Sequence, residues 1–170
     1  MDSAELQQQL FTGRTHVYAL LDGASIDGLR NRLHEMRPPN YCLFPGELEP
    51  DVAETAPYLV GLIAGTPFSD WVLKEHFGKH WGIFAQSRQS MTEMRKHFRA
   101  LVKVHTESGK SLIFRFYDPR VFRRFVPTCN AGELATFFGS VDAFFVEEAN
   151  GSGMSRFVLE NKTLKETKLN

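Results

Sequence analysis

Short apolar runs of strand length alternate with segments of helical period through the first hundred residues. His16 to Leu21, Tyr41 to Phe44, Tyr58 to Ile63 and Trp81 to Ala85 predict strands, and Ile26 to Met36, Asp51 to Thr55, Phe68 to Phe77 and Met91 to Ala100 predict helices. The second half predicts strands at Leu101 to His105, Ser111 to Tyr117, Asp142 to Glu147 and Ser155 to Glu160, with helices at Pro119 to Val126 and Ala131 to Phe138. Asp2 and Glu5 have capping-box spacing ahead of a short helix ending at Phe11. Ser108-Gly109-Lys110 and Asn150-Gly151-Ser152-Gly153 tolerate positive φ and mark two hairpins. The order predicts an α/β chain of mixed α+β class, with a mixed β-sheet flanked by helices. No linker or repeat divides it. Residues 1–126 read as an α/β N-terminal lobe and 127–170 as a smaller C-terminal lobe or an extension of the same domain. Asn161 to Asn170 are polar and lysine-rich, and fraying is expected there.

One predicted strand carries a charge inside an apolar run. Alternation from Leu112 to Tyr117 places Leu112, Phe114 and Phe116 on one face and Ile113, Arg115 and Tyr117 on the other. A buried Arg115 needs an acidic or carbonyl partner, since an unpaired buried charge costs several kcal/mol. Asp118 and Asp22 are the candidates. Pro119 disfavours helical backbone at Asp118 and suits a first helical turn, so Asp118 is expected to cap the helix that follows. In that helix Val121, Phe122, Phe125 and Val126 form an apolar face, with Arg120, Arg123 and Arg124 opposite. Met91 to Leu101 splits the same way, with Arg95, Lys96 and Arg99 outward.

Composition narrows the function classes. Twenty basic and twenty acidic residues cancel, which argues against nucleic acid or an anionic membrane as the main partner. No apolar run approaches a membrane span, and Met1 to Glu5 lacks a basic leader, so a cytoplasmic location is expected. Cys42 and Cys129 suggest neither a disulfide scaffold nor a four-ligand zinc site, and Cys42 reads as a small core residue. Nine of the fifteen phenylalanines fall between Phe114 and Phe157. Core packing is the first reading of that density; a partner surface would leave some of Phe137, Phe138, Phe144, Phe145 and Phe157 exposed.

Catalytic and metal signals are weak. Gly109-Lys110-Ser111 lacks the earlier glycine of a phosphate loop, Val104 standing in its place. His76 and His80 share an i, i+4 spacing, but Gly78 interrupts the helix between them, leaving surface or interface histidines as the expectation. No Gly-x-Ser-x-Gly elbow is present. Trp71 lies on a helix apolar nearly all round, either fully buried or facing a partner on one side. Trp81 opens a strand, where core packing with a hydrogen-bonded indole is expected. Tyr58 also opens a strand, its hydroxyl placed to close a polar corner near Asp118.

The segment Phe114-Arg115-Phe116-Tyr117-Asp118-Pro119-Arg120-Val121 resembles the signature of the type VI secretion effector adaptor and chaperone family. Val17 to Ala24, Ala56 to Val60, Trp81 to Phe84, His97 to Leu101 and Phe137 to Gly139 fit the same family in order, spanning roughly 15–145. The resemblance implies a non-enzymatic protein, without cofactor or metal. Such a protein binds a toxin effector and helps load it onto the spike (VgrG-type) protein of the secretion machine. For such a binder Asp22, Tyr58, Trp81, Arg115, Tyr117, Asp118 and Arg120 are expected to form and position a groove, and Arg123, Arg124, Phe137 and Phe138 to contact the partner. Two alternatives stand beside it: an immunity protein that neutralises a toxin, and a small α/β enzyme using Arg115 and Asp118.

Overall fold

The computed structural model describes residues 2–169. Nine strands and seven α-helices follow in the order α1 (Ser3–Leu10), β1 (His16–Asp22), α2 (Leu29–Met36), β2 (Asn40–Cys42), α3 (Pro50–Thr55), β3 (Pro57–Leu62), α4 (Pro67–Glu75) and β4 (Gly82–Ser87). They continue with α5 (Met91–Val102), β5 (Lys103–His105), β6 (Ser111–Ile113), α6 (Pro119–Phe125), a 3-10 turn at Val126–Thr128, α7 (Ala131–Phe138), β7 (Val141–Glu147), β8 (Met154–Glu160) and β9 (Thr163–Leu169). Three helices start where a side chain satisfies orphan amides: Asp2 with Glu5, Ser90 with Glu93 and Asn130 with Glu133 form reciprocal capping boxes.

Seven strands form one sheet in the order β2-β3-β1-β4-β7-β8-β9, and β5 and β6 form a separate ribbon. The expected α+β class holds, with one difference: every strand pairing is antiparallel. Strand–helix–strand alternation ordinarily brings two parallel strands side by side. Here β3 and β4 do run the same way, joined by α4, but β1 lies between them and pairs antiparallel to both. The parallel pair is split, so no parallel ladder forms.

Helices cover both faces of the sheet. On one face α1, α2 and α4 bring Leu6, Leu10, Leu33, Phe68 and Val72 against Val17, Ala19, Leu21, Val60 and Phe145. On the other, α5, α6 and α7 bring Met94, Phe98, Phe122, Phe137 and Phe138 against Leu20, Ile83, Phe144 and Phe157. Two-sided burial explains why Val17 to Leu21 is apolar without alternation. Residues 127–170 supply α7 and β7, β8 and β9 to this same sheet and core.

Two stretches differ from expectation. The strand expected over Ser111 to Tyr117 stops at Ile113, because Phe116 to Asp118 turn to enter α6 and the ribbon finds no neighbour in the main sheet. The tail expected to fray forms β9, paired to β8 along its whole length from Met154↔Leu169 to Glu160↔Thr163; Asn170 lies outside the described residues. Its lysines, Lys165 and Lys168, sit on the free edge of the sheet, where charge discourages pairing with another chain. Polar composition therefore marks an edge strand here.

Candidate functional site

Antiparallel register gathers three strand ends at one edge of the sheet: the end of β1 at Asp22, the start of β4 after Trp81, and the end of β7 at Glu147. The Asp22 N–H donates to the Trp81 carbonyl at 2.8 Å. The Asp22 side chain, 1% exposed, accepts from the Ala24 N–H and the Ser25 hydroxyl, each at 3.0 Å, and from the Arg115 guanidinium. Of the two acids offered by the sequence, Arg115 therefore takes Asp22. Arg115 itself is nearly half exposed, so its charge is not buried in a strand as the alternation implied.

Asp118 is occupied locally. Its carboxylate accepts from the Arg120 N–H at 2.9 Å and from the Arg120 guanidinium at 3.0 and 2.7 Å, capping α6 as expected. Burial would raise its carboxyl, but the Arg120 bonds and the Arg115 charge outweigh that and hold it below the usual carboxylate range. Tyr117 is buried, and burial with the Asp22 charge pushes its hydroxyl up to about 12, so the phenol stays neutral.

Arg123 is spent on the fold. It donates to the carbonyls of Glu147 at 2.6 Å and Val146 at 3.1 Å, pairs with Glu166 of β9 at 3.0 Å, and lies over the Phe157 ring. Arg124, one residue on, is exposed. Phe137 and Phe138 are both buried, as are Phe144, Phe145 and Phe157, so core packing is the reading that holds for them.

Three expected placements are corrected. The Tyr58 hydroxyl donates to the Ala53 carbonyl at 2.9 Å, and its ring belongs to the core on the face opposite α6, so it does not close the Asp118 corner. Strand alternation decides this, since the residue that follows Pro57 on β3 points away from α6. Trp81 is half buried at the rim of the core and lies outside the strand; its ring sits 5.0 Å from that of Trp71 at a 40° tilt, with Lys79 Nζ 4.8 Å above it. Trp71 is partly buried against the core, with the Arg32 guanidinium of α2 5.0 Å from its ring, so it is not fully buried. His76 is 3% exposed and donates Nδ1–H to the Leu73 carbonyl at 3.1 Å, so it is a core residue and not a surface histidine.

Two features had no clear signal in the sequence. Glu147 ends an apolar strand with a side chain 2% exposed; it accepts from the Gly78 N–H and, at 3.2 Å, from the His80 N–H, and faces His80 Nδ1 at 3.3 Å. A lone acid at the end of a buried strand was the only available hint. The second is an apolar surface. Val104, Leu112, Ile113 and Phe125 are all more than a third exposed, and they belong to the β5–β6 ribbon and the adjoining end of α6. Phe125 packs edge-on against Phe114, 4.6 Å between ring centroids, and the two close one end of a groove of about 490 Å³ between α5 and α7. Cys42 is half buried: it packs against the rim of the core under α1, α2 and α4 and also lines a separate cleft of about 560 Å³ with Arg30, Arg37 and Tyr58.

Among the described residues no cluster of three histidine, cysteine or acidic side chains could hold a metal, and no helix is long and apolar enough to cross a membrane. Neither the search of the curated proteins nor that of the solved structures finds a match. The family described as a domain of unknown function, DUF4123, matches residues 17–136, from β1 into α7 and including Asp22, Arg115, Asp118 and the ribbon, and the chain belongs to that family.

Proposed function

We propose that this protein is a non-enzymatic adaptor and chaperone that holds a secreted toxin effector and delivers it to the spike of a type VI secretion machine. The observation that carries this reading is the grouping of exposed apolar side chains around Phe125 and the ribbon, beside the segment that bears the family resemblance. Val104, its cross-strand partner Leu112 and Phe125, left in water on one side of the ribbon, favour contact with another protein; Ile113, paired with Lys103, faces the other side. The charges of the signature are spent on pairs within the chain instead: Arg115 with Asp22 and Arg120 with Asp118 hold the turn that aims α6. That division suits a binder, in which a fixed polar corner positions an apolar surface that is covered and later released.

The test is deletion of the gene in the producing bacterium, with effector release and survival scored together. An adaptor predicts loss of the effector from the medium while the producing cells stay healthy. Self-intoxication with secretion intact would identify an immunity protein instead.

A further inference from the structure

Helix α2 ends with Arg37 in the left-handed region, at φ 50°, and Pro38 and Pro39 cannot continue it, so the chain reverses into β2. A cleft of about 560 Å³ lies between the two elements, lined by Arg30, His34 and Arg37 at i, i+4, i+7 on α2 and by all three residues of β2. Strand β2 is an outer strand of the sheet and pairs only with β3. The Pro39 carbonyl accepts from the Gly61 N–H and the Leu43 N–H donates to the Pro57 carbonyl, each at 2.8 Å. In an antiparallel ladder of that register Asn40 and Cys42 turn their main-chain groups away from β3. The Cys42 carbonyl is taken by the Arg99 guanidinium at 2.8 and 3.3 Å. The Asn40 N–H, the Asn40 carbonyl and the Cys42 N–H are left on the open edge.

Arginines flank this edge on both faces of the sheet. On the α2 face Arg30 and Arg37 line the cleft, and no acid does. On the opposite face Arg95 of α5 lies over the Tyr41 ring, 4.3 Å from its centroid, and Arg99 reaches the Cys42 carbonyl. Arg37, Arg95 and Arg99 make no ion pair among the described residues. Arg30 pairs with Glu54 of α3 at 3.1 Å, but both side chains are more than 40% exposed, and a pair so open to water exchanges partners at little cost. An apolar strand added here would strip water from the guanidiniums without pairing them, and a basic one would be repelled. A small anion answers the arginines but not the alternating N–H and carbonyl of the edge, and a helix has its own amides closed on itself. An extended acidic segment answers both, because its main chain alternates donor and acceptor and its successive side chains point to opposite faces.

We infer that the β2 edge takes an extended acidic segment of a partner protein as an eighth strand of the sheet. Its main chain bonds Asn40 and the Cys42 N–H, its carboxylates on one face meet Arg30 and Arg37, and those on the other meet Arg95 and Arg99. None of these residues belongs to the apolar surface around Phe125, so the two surfaces can hold different segments. Which protein presents the strand rests on the adaptor reading; the chemistry of the edge is testable without it.

The experiment uses the full chain and fluorescein-labelled probes in an anisotropy titration. The first probe is a strand-forming peptide of threonine, valine and glutamate with carboxylates on both faces. The second replaces glutamate by lysine, the third is the glutamate peptide N-methylated at alternate residues, and the fourth is a short oligothymidine. The glutamate strand is expected to bind roughly tenfold tighter or more than any of the others, with the advantage over the lysine peptide shrinking as salt rises. Arg37→Glu and Arg95→Glu should each weaken it roughly tenfold. Asn40→Pro, which removes an outward N–H without breaking a bond to β3, should do the same, and Lys165→Glu on β9, at the opposite edge of the sheet, should not. Circular dichroism and Tm establish that each variant is folded; should Asn40→Pro fail to fold, the N-methylated peptide decides. Equal binding of the N-methylated peptide or of oligothymidine would make the edge a general polyanion patch and overturn the added strand. Equal binding of the lysine peptide, or none of the glutamate peptide, would overturn the charge assignment. Self-association in sedimentation that Arg37→Glu abolishes would make a second copy the occupant and overturn a foreign strand. Tight binding of the glutamate strand together with normal effector release in the deletion strain would sink the adaptor reading while leaving the edge assignment standing, and the reverse pair of results would sink the edge alone.

Discussion

The Arg115 guanidinium closes on the Asp22 carboxylate across 93 positions of sequence, joining the turn before α6 to the end of β1. The pair is asymmetric: Asp22 is 1% exposed and Arg115 is 44% exposed. Removing the two partners therefore has unequal consequences. Asp22→Ala deprives the Ala24 amide, the Ser25 hydroxyl and Arg115 of one acceptor and is expected to cost about 2–4 kcal/mol. Arg115→Ala leaves Asp22 two donors and an exit to water, and about 1–2 kcal/mol is expected. Urea unfolding of both variants checks the order; a larger loss for Arg115→Ala would show that the buried carboxylate is not the anchor.

Adjacent arginines on α6 should behave as opposites. Arg123→Ala loses bonds to two main-chain carbonyls and to Glu166, with about 2 kcal/mol of destabilisation expected. Arg124→Glu changes an exposed side chain that makes no ion pair among the described residues, and stability should stay within about 0.5 kcal/mol. Thermal melts of the two single variants decide it, and a double charge reversal would confuse folding with binding.

Acid should destabilise the protein through His76. Burial pushes its imidazole down to about 4, from the 6.5 of a free histidine. Between those values the unfolded chain binds the proton and the folded chain does not, so the stabilisation is complete above about pH 6.5 and is lost as pH falls toward 4. The full loss is about 3 kcal/mol. Stability measured from pH 7 to 4 should fall more steeply in the wild type than in His76→Leu; parallel curves would assign acid sensitivity elsewhere.

Gly82 is required by a close approach of backbone. A Cβ there would stand 2.0 Å from the Leu20 carbonyl oxygen and 3.1 Å from the Leu21 Cα, both main-chain atoms of the paired strand β1. Gly82→Ala is expected to destabilise by about 3 kcal/mol or more, at the upper end of overpacking costs. A Tm within a few degrees of the wild type would mean that β4 shifts away from β1 easily.

Much of the architecture is local and was legible. Apolar runs located β1, β3, β4, β7 and β8, because burial is encoded in the side chains themselves. Gly109 and Gly151, both at positive φ, marked their hairpins. Asp118 announced the start of α6 because Pro119 restricts the backbone before it. The pairing of Arg115 was narrowed to two acids, one of them correct.

What the residues could not express is which element lies beside which. Apolarity says that β3 and β4 are buried, but only the insertion of β1 between them decides that the sheet is antiparallel. Lysine content is the same for a frayed tail and for an edge strand, and the hydrogen bonds available from β8 make β9 the latter. The face chosen by Tyr58 and the bonds taken by Arg123 and Glu147 depend in the same way on neighbours distant in sequence. The sequence by itself determined where elements form and which side chains leave water, since those follow from local backbone preference and hydrophobicity. Partner choice, strand direction and the exposed groove were decided by the tertiary structure, because each is set by contacts between segments that no local pattern records.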